Sequence, residues 1–287
     1  MKKGETRPAV CNRRKPVISM MLLAVIAAAC ILAPLLAPFP PDFMDSSVVS
    51  QPPGIFSGTG KIHPLGTDHM GRDLLTLLLY GGRVSLYIGF LSGTLSTAIA
   101  VVYGTVSGLV SERASDLMMR ACELMMSIPS ILLVLFLQAI WGQSSATSIA
   151  VVIALTNWMN ISKVVRSEVR QIGKSDYILA ARTMEAPFWY LLVRHLLPNF
   201  ISSIMFMVVS NIGSAILTES TLSFLGLGLP LTTVSWGSLL SMSQDVLLSG
   251  NWWIIIFPGL VLVTTLVCIT DIGEYVRRKN NRMYSNI

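Results

Sequence analysis

Long apolar runs separated by polar, often basic, segments set the pattern of this chain. Six runs stand out, at about 18–37, 83–110, 117–141, 146–164, 201–222 and 252–270. The first spans roughly 20 residues, and at about 1.5 Å per residue such a helix covers about 30 Å, the thickness of the hydrocarbon layer. In lipid every backbone N–H and C=O must be satisfied within the chain, so each run predicts a helix. Alternating segments of about ten residues, the mark of a membrane barrel, are not present in the sequence. The pattern predicts an all-α polytopic membrane protein with about six transmembrane helices. The third run is irregular. Arg120 and Glu123 interrupt its start, Pro129 falls inside it, and its clean apolar part is 131–141. It reads either as a kinked span or as an interfacial helix over 114–127 leading into a shorter span.

Composition agrees with a bilayer. The chain is 53% hydrophobic and 13% charged, against about 25% charged in soluble domains. Net charge is +6, and its distribution is more telling than its size. Six Lys and Arg precede the first run, Arg113 and Arg120 flank the second junction, six run from Lys163 to Arg194, and four follow the last run. Only Lys61, Arg72 and Arg83 remain for the other side. Positive loops stay in the cytoplasm, so both termini and the 165–198 loop are expected there. Topology thus accounts for the basic residues, and no nucleic-acid partner is expected. The chain divides into a cytoplasmic tail (1–17), a first transmembrane helix with an extracytoplasmic loop (18–82), a five-helix core (83–272) and a cytoplasmic tail (273–287).

Several features imitate other chemistry. Arg13-Arg14 ahead of an apolar run suggests a twin-Arg signal, and Ala28-Ala29-Cys30 a lipoprotein cleavage site. The run is long for a cleaved signal, and five more follow, so an uncleaved first span is expected. Gly58-Thr59-Gly60-Lys61 has part of a phosphate loop, but Ile55 and Ile62 stand where Gly and Ser or Thr are needed. Cys11, Cys30, Cys122 and Cys268 lack metal-ligand spacing and are expected reduced. His63, His69 and His195 fall outside the runs, where they serve loop structure better than an intramembrane hydrolase. With no complete phosphate loop, nucleophile–base pair or metal cluster, the chain is expected to be no enzyme.

The most informative segment is Leu179-Ala180-Ala181-Arg182-Thr183-Met184-Glu185-Ala186, closed by Arg194-His195-Leu196-Leu197-Pro198-Asn199. Ser175 or Asp176 can cap a short helix there. Pro187 ends that helix, and a second short helix from Phe188 to Leu196 runs into Pro198. Three further segments accompany it in order: Leu65-Gly66-Thr67-Asp68-His69-Met70-Gly71-Arg72-Asp73 with Gly82-Arg83-Val84-Ser85-Leu86, Trp158 through Ser167, and Glu219 through Gly228 with Ser235-Trp236-Gly237. Together these segments closely resemble permease subunits of ATP-driven importers, in the dipeptide/oligopeptide/nickel branch. The resemblance implies a type I importer permease (MetI-like) in the bacterial inner membrane. It implies a second homologous permease, two ATPase subunits that bind ATP and Mg, and an extracytoplasmic substrate-binding protein. It also makes Ala180, Ala181, Arg182, Thr183, Glu185, Ala186, His195 and Pro198 the coupling contact to the ATPase. No cofactor or metal is expected in this chain itself.

On the outer side, Asp68, Arg72, Asp73, Glu219 and Trp236 are candidate gate or partner contacts. Arg72 and Asp73 can pair with each other or with a partner. Glu219, near the outer end of its span, is either functional or in interfacial water. The chain departs from the family at Glu185, where Gly is usual, and at Leu229–Thr233, where prolines are usual. The substrate expected is a di- or oligopeptide, with nickel or a metal–chelator complex as the alternative. An ion-driven secondary transporter would place acidic groups or broken helices near mid-membrane, and runs one, two, four and six lack acidic residues in their middles.

Overall fold

The computed structural model describes residues 16–56, 62–142, 145–175, 178, 183–184, 187–230, 232–242 and 250–284. The helices in order are α1 (Val17–Ile31), α2 (Ala33–Leu36), α3 (Leu74–Leu109), α4 (Glu112–Met126), α5 (Ser130–Trp141), α6 (Ala146–Asn157), α7 (Met159–Ile172), α8 (Phe188–Phe224), α9 (Trp236–Met242) and α10 (Trp253–Tyr284). Two two-residue strands, β1 (Ile55–Phe56) and β2 (Ile62–His63), pair antiparallel. The residues between them, 57–61, lie outside the described set and include most of the phosphate-loop-like segment.

Three helices (α3, α8 and α10) are each long and apolar enough to cross a membrane, and up to five spans result if each bent pair is one. The pairs are α4–α5, bent by 89°, and α6–α7, bent by 46°. α1 is a shorter apolar helix of 15 residues. Exposed apolar side chains such as Ile18, Phe90, Phe136 and Val263 cover the outside of the bundle, as a lipid-facing surface requires. The bend at Ser127–Pro129 resolves the irregular third run. α4 buries Ser115, Met119 and Cys122, a helical spacing, while α5 has 12 residues and reaches about 18 Å.

α3 is the mast of the fold. It begins at Leu74, not near residue 83, because Asp73 caps it by accepting the Thr76 N–H at 2.8 Å. Gly81 and Gly82, which precede the apolar run drawn from the sequence, sit inside this helix. The sequence hides the reason: small residues at 81, 82, 85, 89, 92, 93, 96, 100 and 104 form its buried face, and α1, α6, α7, α8 and α9 all pack on it. At Gly104 a Cβ would lie 2.7 Å from the Ser162 carbonyl oxygen of α7. Close backbone approach through small residues is how helices associate in lipid.

α8 departs from expectation in a second way. The short helix running into Pro198 and the span from 201 are one continuous helix, starting at Phe188 behind the N-cap Pro187. A π-helical stretch, Leu191–Leu196, precedes Leu197 and Pro198. That places Pro198 at the start of the α-helical segment, where its missing N–H costs least.

Candidate functional site

Polar residues gather at two ends of the bundle. At the first, the loop before α3 folds around two carboxylates. Asp68 Oδ1 accepts the N–H groups of Met70 and Arg72, both at 2.8 Å. Its Oδ2 accepts the Arg72 guanidinium through Nε and Nη2, each at 2.8 Å. Asp73 caps α3 with one oxygen and meets His63 Nδ1 with the other, at 3.0 Å. His63 is fully buried and stacks on Phe39 with ring centroids 4.6 Å apart. Arg72 therefore pairs with Asp68, and Asp73 with His63; the Arg72–Asp73 pair considered from sequence does not form. Gly71 holds φ of +73°, and a Cβ there would meet the Asp45 carbonyl oxygen at 2.1 Å. Only glycine meets both conditions.

Beside this loop, Glu219 of α8 is 0% exposed, which removes it from interfacial water. Ser85 of α3 donates to its Oε2 at 3.1 Å, and Ser223, one turn on, donates to Oε1 at 2.9 Å. Ser220 donates at 3.4 Å. The Ser85 hydroxyl also accepts the Trp236 backbone N–H at 3.2 Å, while the Trp236 indole donates to the Leu78 carbonyl at 3.1 Å. Trp253 of α10 donates to the Thr67 carbonyl at 3.1 Å. The segments singled out around 65–73, 82–86, 219–228 and 235–237 thus converge into one polar knot joining α3, α8, α9 and α10. Asp68, Arg72, Asp73, Glu219 and Trp236 all engage partners within the chain. Sequence reading missed Ser85 and Ser223 as ligands of Glu219, since a serine on a helix face carries no pairing signal.

At the second end, α4 and α7 are cross-linked by polar contacts. Arg166 donates to Ser115 Oγ at 2.7 Å and to Asp116 at 2.6 Å, and Lys163 meets Glu123 at 3.5 Å. Beneath them Ile178, Leu192, Leu196 and Phe200 are buried against α3 and α7 in one apolar cluster. Three of the coupling candidates are described. Thr183 is exposed, His195 is half-buried and edge-on to Tyr190 at 5.4 Å, and Pro198 is exposed. Ala180, Ala181, Arg182, Glu185 and Ala186 lie outside the described residues. Among the described residues no group of three or more His, Cys, Asp or Glu is placed to hold a metal.

This architecture is that of a mostly helical protein with several candidate membrane spans, and comparison with known proteins gives the family. The family model described as the binding-protein-dependent transport system inner membrane component matches residues 100–281. A second model, the N-terminal TM domain of oligopeptide transport permease C, matches residues 12–53. The dipeptide transport system permease protein DppC of Bacillus subtilis (strain 168) is 34% identical over 74% of this chain and 66% of its own length. The oligopeptide transport system permease protein OppC of the same organism is 30% identical over 93% of this chain and 85% of its own. A putative peptide permease protein of Brucella suis biovar 1 is 34% identical over 93% and 86%. Among solved structures, a chain from inward-facing conformations of the MetNI methionine ABC transporter superposes with a TM-score of 0.55 at 17% identity, covering 71% of this chain and 96% of that one. The chain belongs to the binding-protein-dependent transport system inner membrane component family, and its fold is of the MetI type.

Proposed function

We propose that this chain is one permease of an ATP-driven importer of di- or oligopeptides, paired with a second homologous permease. Two ATPase subunits bind ATP and Mg on the cytoplasmic side, and a substrate-binding protein docks outside. The observation that carries this reading is similarity to permeases named for peptides over more than nine-tenths of the chain. Those names favour peptide over nickel or a metal chelate. The geometry is compatible with the division of labour: a rigid outer knot, and an inner segment set on an apolar base at Ile178, Leu192 and Leu196. Movement of the ATPases would enter the bundle through that base, along α7 and α8.

Reconstitution tests the reading. Vesicles holding the complete complex are expected to accumulate labelled trialanine only with ATP and binding protein, and to continue when an ionophore collapses ion gradients. The chain alone is expected to show neither uptake nor ATPase activity. Ionophore-sensitive uptake by the isolated chain would replace the importer with an ion-driven secondary transporter.

The proposed orientation puts both termini and the 165–198 loop in the cytoplasm. Cysteines placed singly at the exposed positions Lys174 and Met44 are expected to differ in reach. An impermeant thiol reagent added to intact cells is expected to label position 44 and spare position 174. Labelling of position 174 from outside would invert the topology.

A further inference from the structure

Away from both ends, three places in the bundle face one another. They are the turn between α4 and α5 at Ser127–Pro129, the bend between α6 and α7 at Trp158, and the middle of α8. Between them lies a cavity of about 490 Å³. Its polar lining is made of amides and hydroxyls, chiefly Asn157, Asn160, Asn211, Ser210 and Ser214, and among the described residues no charged side chain lines it. Methionines from α4, α7 and α8 complete the wall.

Amides in a membrane-spanning bundle carry a desolvation cost unless they find partners. Asn211 has one, donating to Ser96 Oγ of α3, which makes it helix-to-helix glue. Asn157 differs: its buried Nδ2 has no hydrogen-bond partner among the described residues. That nitrogen is closed off from the cavity, whereas Asn160 and Ser214 stand exposed on the cavity wall.

We infer that this cavity is the part of the solute path that reads the peptide backbone, with the exposed Asn160 amide and Ser214 hydroxyl hydrogen-bonding to peptide groups. The inference rests on the proposed function and adds the residues and the chemistry. Uncharged amides and hydroxyls match the amide N–H and C=O groups that every peptide repeats. Thioethers on flexible stems adapt to side chains of different shape. Such a wall accepts peptides of varied sequence without preferring a charge.

The test uses the complete complex in vesicles, with trialanine as the probe. Single cysteines are introduced as Asn160→Cys and Ser214→Cys, both exposed positions. The wild-type chain, whose Cys30, Cys122 and Cys268 are buried, supplies the blank. A small water-soluble methanethiosulfonate is expected to modify both positions during turnover, and saturating trialanine is expected to slow that modification severalfold. Separately, Asn160→Leu is expected to lower trialanine uptake per ATP hydrolysed by about tenfold, the loss of roughly one hydrogen bond, while ATPase stimulation by loaded binding protein persists. A merely structural role for Asn160 would lower both together, and that result would overturn the inference. Modification unaffected by trialanine, in a complex that still takes it up, would overturn the cavity assignment and leave peptide import standing. Failure of the wild-type complex to take up trialanine would overturn both.

Discussion

Glu219→Leu is expected to destabilise the end of the bundle that holds the polar knot by about 3 kcal/mol, whereas Glu219→Gln costs about 1 kcal/mol. The carboxyl is fully buried and accepts hydroxyl protons from Ser85, Ser220 and Ser223. Leucine offers no acceptor, so these hydroxyls are left unsatisfied in a dry site. Each such orphan costs about 1–3 kcal/mol, partly offset where a hydroxyl turns to a backbone carbonyl. Glutamine keeps one acceptor oxygen, and hydroxyls can rotate to accept from its amide. Ser85 also carries the Trp236 backbone N–H, so the loss spreads from α8 to α9. Thermal unfolding of the purified protein in detergent checks this, the leucine variant unfolding well below the glutamine variant. Equal midpoints would mean that the carboxyl does not hold the knot.

A larger effect is expected from Gly237→Val. A Cβ at this position would lie 2.5 Å from the Ser220 Cα and 2.6 Å from the Ser220 carbonyl oxygen. Both are backbone atoms, so no rotamer change relieves the overlap, and α9 must move off α8. Trp236, next in the chain and 0% exposed, would leave its partners at Leu78 and Ser85. The expected cost is about 3 kcal/mol or more, enough to remove most folded protein. Size-exclusion profiles should show aggregated variant and little monodisperse peak. Gly259→Ala is the control, because a Cβ there meets only Leu240 Cδ2 at 3.9 Å, and it should elute like the wild type. Normal behaviour of the valine variant would show that α8 and α9 are not locked together.

The two ends of the molecule were legible to different degrees. Apolar run length gave the helical class because lipid leaves the backbone no other partner. The ordered motifs carried the family, since Gly66, Asp68, Gly71 and Asp73 each meet a local demand: a positive φ, a turn or a cap. Local demands of this kind are written in adjacent residues. The pairing of Arg72 with Asp68 and not Asp73 was not legible, nor was His63 as the partner of Asp73, because sequence spacing does not say which way a side chain turns. The beginning of α3 was misplaced for a related reason. The apolar run starts at 83, and only the packing of Cys30 and Trp236 against Gly82 shows why the helix extends before it.

Sequence by itself therefore determined the class and the family, because each depends on composition, run length or the order of short motifs. Tertiary structure alone decided that Ser85, Glu219, Ser223 and Trp236 form one network. It also decided that Pro198 continues a helix behind a π turn and that Asn157 and Asn211 line one cavity. Each of these depends on packing between helices far apart in the chain, where contact is set by small residues that allow close approach and not by any local preference.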